Sequence, residues 1–230
     1  MYYIDWRVVW DNLPRLADGI VTALELVVVA GFIAFFVGIL GALARRSKFR
    51  SVRVAAIVYL EAVRNSPVLV KMYFIYFGLP TFDISLSPFV SGAVALGLHH
   101  GAYLMEIFRA AFDGVPRGQF DGAASLGLPR WLTFWKIELP QALRAALPPV
   151  GNVGSELIKD TSLTSSISLA EAYFVFVSII ALTMRTVEIF VVAAGFYLAV
   201  TWIFSLGVSA LERRLNRPYG PRRTAKAVSL

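Results

Sequence analysis

Residues 116–140 read PRGQFDGAASLGLPRWLTFWKIELP. This stretch is polar, basic and rich in glycine, and it sits between apolar runs long enough to cross a bilayer. Pro116 suits the first turn of a helix, where a missing N–H costs nothing, and Asp113 just before it is placed to cap that end. Gly122-Ala123-Ala124-Ser125 is a run of small side chains that lets another surface approach the backbone. Gly127 suits a left-handed helix end, and Pro129 prevents continuation. The residues therefore predict a short capped helix over 116–127 with a smooth face. Trp131 and Trp135 set the following segment at the membrane interface. Taken alone, this reading fits a rigid connector as well as an ordinary loop helix.

The flanking sequence places that helix in a membrane protein. Of 230 residues, 57% are hydrophobic and 16% charged, against about 25% charged in a soluble domain. Mean hydropathy is +0.67. The chain has no cysteine and two histidines, which excludes a disulfide framework and argues against a metal centre. The net charge of +7 could serve nucleic acid, but the basic residues cluster beside apolar runs, as the positive-inside bias requires. We expect no nucleic-acid partner and no cleaved signal peptide.

The chain divides into a mixed N-terminal segment (1–19), a transmembrane region (20–212) and a basic tail (213–230). Trp6 and Trp10 suit a helix lying at the headgroups. Spans are expected at 20–44, at 54–79 with a break or kink at Pro67, at 89–105, then at a re-entry near Ala142 that should bend or restart at Pro148-Pro149, and at 189–211. Residues 169–186 read as a shorter external or re-entrant piece. Arg45, Arg46, Lys48, Arg50 and Arg53 follow the first span without an acid among them, and Arg213, Arg214, Arg217, Arg222, Arg223 and Lys226 follow the last against Glu212 alone. Both loops are then cytoplasmic and Met1 is outside. That requires an odd number of spans, and five fits.

Several motifs resemble a known family. ABC-importer membrane subunits carry a loop reading Glu-Ala-Ala, three residues, Gly, nine residues, Ile, one residue, Leu-Pro. Here Asp121, Gly122 and Ala123 stand for the first three, and Gly127, Ile137, Leu139 and Pro140 complete the spacing. Asp-Gly-Ala replaces Glu-Ala-Ala, and Gly122 weakens the helix by about 1 kcal/mol against Ala. GIVTALEL, EAVRNSPVLVKMYFIYFGLP, GAYLMEIFRAAFDGVPRGQFDGAASLGL, LPQALRAALPPVGN and IKDTSL are similar to polar amino acid permeases over nearly the whole chain. The resemblance implies an all-α integral membrane protein of the type I importer fold in a bacterial cytoplasmic membrane. Its cytoplasmic coupling helix would use Asp121, Gly122, Ala123, Ala124 and Gly127. It also implies two separate ABC ATPase subunits, a second permease subunit, identical or homologous, and an extracytoplasmic binding protein that delivers an amino acid. No phosphate-binding loop of the G-x-x-x-x-G-K-[ST] form occurs. We therefore expect no cofactor on this chain, with ATP and Mg used by the partner, and no enzymatic activity of its own.

An amino acid zwitterion needs charge or dipole partners at both ends. Glu61, Asn65, Ser66, His99, His100, Glu156 and Asp160 are polar groups at membrane depth, where such residues are functional candidates. Glu61 and Glu156 could hold an ammonium group, with Asn65 or His100 at the carboxylate. The same residues could instead form helix–helix hydrogen bonds and ion pairs, with Lys159 meeting Asp160 or Glu156. A lone channel or secondary transporter would use similar polar residues but gives no reason for the spaced motif. An intramembrane enzyme would need a nucleophile with a base or a metal cluster, and no such motif is present.

Overall fold

The computed structural model describes residues 3–216, and every regular element in that range is helical. Arg217, Arg222, Arg223 and Lys226 of the expected basic tail lie outside the described residues. A short helix α1 (Arg7–Asp11) leads into a long helix α2 (Leu13–Arg45). Helix α3 (Arg50–Arg64) and helix α4 (Val68–Tyr73) follow, then a wide turn at Phe74–Gly78 and a tight one at Leu79–Phe82. Helix α5 (Pro88–Asp113) crosses back, capped by the Ser87 hydroxyl, which accepts from the Val90 N–H at 3.3 Å. Helices α6 (Arg117–Ser125) and α7 (Arg130–Thr133) form the loop at its end. A wide turn at Phe134–Glu138 leads into α8 (Leu139–Asp160), then a tight helical stretch Thr161–Ile167, α9 (Ala172–Thr183) and α10 (Thr186–Asn216).

The centre of the molecule is the pairing of α2 with α5. Small residues line both sides, which allows the close approach on which helix pairs in lipid depend. Gly97 and Gly101 of α5 receive Ile33 and Val37 of α2, while Gly38 and Gly41 of α2 receive Leu104 and Met105. A β-carbon on Gly97 would lie 2.5 Å from Ile33 Cγ2 and 3.2 Å from the Ala30 carbonyl oxygen. One on Gly101 would lie 2.7 Å from Val37 Cβ and 3.2 Å from the Ala34 carbonyl oxygen. Leu26, Ala30, Leu96 and Ala102 are fully buried along this seam. The outer faces of α2 and α10 are apolar and exposed, at Phe32, Phe36, Leu40, Leu198, Trp202 and Ile203, as lipid contact requires.

The helix bounds refine the expected ones. The boundary at residue 19 falls inside α2, because Leu16 and Gly19 are already buried. Gly19 packs directly on Val175 of α9. The expected interfacial helix reduces to the five residues of α1. The span at 54–79 is broken at Asn65-Ser66-Pro67, as the proline led us to expect: Pro67 adopts an extended backbone instead of continuing α3. At Pro148-Pro149 the helix does not restart: α8 carries both prolines in its interior. Neighbouring helices stabilise it there, with Val208 packed on Gly151 and Phe204 on Gly154.

By length and composition, α2 and α10 can each cross a membrane unaided. The run 130–167 with α9, bent by 53°, makes a third when taken as one broken span. Helix α9 is not an exposed appendage: Phe176 and Ile179 are fully buried beside Leu16, Ala23 and Ile189. At its start the Glu171 carboxylate accepts from the Tyr173 and Phe174 N–H groups, both at 2.8 Å. The N-terminal residues tie down the opposite end of α9, where it passes into α10. The buried Glu188 carboxylate accepts from the Asp5 N–H at 2.8 Å, and Arg185 donates to the Tyr3 carbonyl. Arg7, hydrogen-bonded to Asp5, holds that exposed carboxyl down at about 2.

Gly101→Val should wedge α2 from α5 and lower stability in detergent by about 1–3 kcal/mol, read as a fall in the thermal unfolding midpoint. Gly195→Ala, at a helical position with nothing within 4 Å of the added carbon, should not lower that midpoint and can raise it slightly.

Candidate functional site

Helix α6 is held to the body by one face. Ala123 is buried, and Phe120 packs on the cluster containing Ala111, Val115 and Ala142. The opposite face, Asp121, Gly122, Ala124 and Ser125, is exposed, and Leu126 just past the helix is 79% exposed. A side chain added at Gly118, Gly122 or Gly127 would meet nothing of the chain within 4 Å. The helix ends in a Schellman turn: Gly127 is left-handed at φ +68°, its N–H donates to the Ala124 carbonyl at 2.9 Å, and the Leu128 N–H donates to the Ala123 carbonyl at 3.0 Å. The other end differs from expectation. Pro116 is the residue before the helix and brings no side-chain cap. Asp113 is the last residue of α5, drawn back along its own helix by Arg109 Nη1 at 2.7 Å.

Sequence reasoning missed the charges that frame this loop. Arg46, just beyond α2, donates from Nη2 to Glu138 Oε1 at 3.0 Å and lies 3.7 Å from Asp113 Oδ1. Its guanidinium stands 5.2 Å above the Phe112 ring, which stacks on Phe134. Arg109 also pairs with Glu106, and Arg45 Nη1 lies 3.5 Å from Glu106. The first-loop arginines were read only as an orientation signal. The one available clue was Glu138, an acid standing inside the apolar end of the spaced motif.

The predicted polar residues fall into two groups. In the first, His100 is buried with Nε2 3.2 Å from Asp160 Oδ2, and the His99 ring meets those of His100 and Tyr103 edge-on. Lys71 and Asp160 both lie within electrostatic reach of His99. Lys71 was not among the expected site residues. Its ammonium donates to the carbonyls of Val63 at 2.7 Å and Ser66 at 2.6 Å, satisfying the end that the break at Pro67 leaves open. In the second group, exposed Asn65 donates to Glu61 at 3.0 Å, and the Ser66 hydroxyl donates to the Ala62 carbonyl at 2.8 Å. Glu156 is exposed on α8. No contact within the chain joins Glu156 or Glu61 to the histidine–Asp160 group among the described residues.

A broken and partly polar helical bundle with a protruding loop helix is the form of a membrane permease subunit. The comparisons give the family. Residues 34–217 match the binding-protein-dependent transport system inner membrane component. The chain is 36% identical over 216 residues to the L-cystine transport system permease protein TcyB of Bacillus subtilis, covering 93% of this chain and 92% of that one. It is 36% identical over 214 residues to the glutamine transport system permease protein GlnP of Escherichia coli K12, covering 92% and 98%. A solved amino acid ABC transporter with histidines superposes at TM-score 0.86 and 30% identity, over 93% of this chain and 100% of that one. An inward-facing methionine ABC transporter, at TM-score 0.72 and 14% identity over 89% and 98%, shares the fold. The chain belongs to the family of binding-protein-dependent transport system inner membrane components. It is a transport subunit with the type I importer permease fold, and in this family a separate chain hydrolyses ATP. It is a multi-pass protein of the bacterial inner membrane.

Gly127→Ala would force a β-carbon into the left-handed region at a cost of roughly 1–2 kcal/mol. Hydrogen exchange at the Leu128 amide should quicken by roughly 5–30-fold; unchanged protection would show that the turn does not depend on glycine.

Proposed function

We propose that this chain is the membrane half of an ATP-driven importer for a polar or charged amino acid. It would have five spans, Met1 outside and the C-terminus in the cytoplasm, and would work as one of two permease subunits. An extracytoplasmic binding protein would deliver substrate and a pair of ABC ATPase subunits would drive the cycle with ATP and Mg. The observation that carries this reading is the naked small-residue face of α6, presented by a helix whose other face is anchored by Ala123 and Phe120. The relatives named for cystine and glutamine transport support the substrate class.

In this mechanism Asp121, Gly122, Ala123, Ala124 and Gly127 form the coupling helix, seated in a cleft of the ATPase subunit. ATP closes the ATPase pair, α6 follows the cleft, and its anchors pass the movement to α5 and α8. The spans swing between inward- and outward-open states according to which state each ligand prefers. The orientation is supported by the position of Arg46, which puts the arginine-rich first loop at the same end of the molecule as α6. A substrate would pass the group formed by His99, His100 and Asp160, with Lys71 beside it. Glu61, Asn65 and Glu156, exposed on the single chain, and half-buried Ser66 would face a pathway completed by the second subunit. The carboxylates suit the substrate's ammonium group, while Asn65 or His100 suits its carboxylate.

Gly122→Trp fits this chain's own fold, since open space surrounds the position, but would fill the seat. The detergent-purified variant should lose its ATPase subunits while keeping its unfolding midpoint. Co-purification at the wild-type level would sink the coupling role. For the pathway, Glu156→Gln should raise the KM for radiolabelled amino acid uptake by roughly tenfold, the scale of one lost charged hydrogen bond; unchanged rate and selectivity would remove Glu156 from the binding residues.

A further inference from the structure

The loop that carries α6 begins and ends on an acid. Asp113 closes α5 and Glu138 closes the wide turn before α8. Residues 114–137 lie between them. A single guanidinium from a third element reaches both: Arg46 Nη2 is 3.0 Å from Glu138 and Arg46 Nε is 3.7 Å from Asp113. The Glu138 side chain is only 11% exposed, so its charge depends on protein partners instead of water. Beneath the guanidinium, Phe112 from the α5 side stacks on Phe134 from the α8 side at 6.1 Å and 14°. Planar Arg46 thus covers an aromatic pair whose two rings come from the two ends of the same loop.

The ends need such a clasp. On one side the chain passes through Gly114, an exposed glycine between helices. On the other it runs through the wide turn Phe134–Glu138, a looser winding of the kind found frequently at functional sites. A push on α6 would be absorbed at these two points unless something held α5 and the start of α8 together. Arg45 and Arg109 brace the same corner through Glu106, but neither reaches Glu138 among the described residues.

We propose that Arg46 is a positioning residue for coupling: by clasping Asp113 and Glu138 it makes the two ends of the α6 loop move as one body, so that displacement of α6 reaches the spans undiminished. This rests on the coupling reading of α6. The role requires the fork of an arginine, since an ammonium point charge cannot address two acids and an aromatic face together.

The test uses the full assembly, reconstituted in liposomes with its ATPase subunits and binding protein, and reads amino acid imported per ATP hydrolysed. Arg46→Ala should keep the ATPase rate within about twofold while import per ATP falls roughly tenfold, the scale of a lost charged hydrogen bond. Glu138→Gln should do the same, and the double variant should be no worse than either, because both remove one clasp. Arg46→Lys should leave import per ATP well below wild type. An unchanged ratio in Arg46→Ala, a proportional loss of import and hydrolysis, or losses that multiply in the double variant would each overturn the proposal. Should Arg46→Ala fail to assemble, Arg46→Lys and Glu138→Gln carry the same reading, and a wild-type ratio in both overturns it. The coupling reading fails separately: ATPase subunits retained by Gly122→Trp would end it whatever Arg46 does.

Discussion

The close approach of α2 and α5 governs the rest of the molecule. In lipid there is little hydrophobic gain from bringing two apolar helices together, so their pairing depends on packing contact at short range. Glycines on both helices supply that contact, and they do so in complementary registers, each helix lending larger side chains to the other's gaps. Once the seam is set, little is left free. The middle of α5 places His100 against Asp160 of α8. Its C-terminal part places Glu106, Arg109 and Asp113 opposite Arg45 and Arg46. The polar belt and the charged frame of the loop are consequences of one helix pairing read at two depths.

The break between α3 and α4 shows a second constraint. Backbone groups at membrane depth need partners, and a proline in mid-span removes a donor and strands carbonyls. Lys71 resolves this by turning its ammonium back onto Val63 and Ser66. A cation held by carbonyls at a helix end is favoured by the helix dipole as well. The same cation lies within electrostatic reach of His99. One side chain thus closes an interrupted helix and adds a charge near the polar belt.

Much of this was legible in the sequence, for physical reasons that differ by region. The long apolar runs announced α2 and α10 because lipid imposes length and composition directly. Gly127 announced its turn because few residues accept that backbone conformation. That α8 would run on through Pro148-Pro149 was not legible, because a proline's effect depends on what packs around it, and Val208 and Phe204 come from a helix more than fifty residues away. Asp113 misled because two uses competed for one carboxylate, and Arg109, one turn earlier on the same face, won. The seven polar candidates were recoverable by type, but their grouping was not: whether Glu156 meets Asp160 or looks outward depends on helix rotation, which periodicity in a partly polar helix leaves undetermined.

The arginines after α2 illustrate why an orientation signal should not close the question of what a charge does. A run of basic residues at a membrane edge is satisfied by headgroups and water, and any one of them can be spared for other work at little cost. Arg46 is half-withdrawn from solvent and set between acids from two other elements. Glu138 is more buried still, so the pair cannot be a surface decoration worth a few tenths of a kcal/mol; removing either member would strand the other in a poor solvent. On the coupling reading of α6, its loop gains from such a contact in a way a passive linker would not. Three chain segments meet there, and two of them are the only covalent routes from α6 into the bundle. If α6 is the coupling helix, the Arg46 contact, contributed by an element remote from α6 in sequence, is well placed to decide whether movement of that helix becomes movement of the membrane domain.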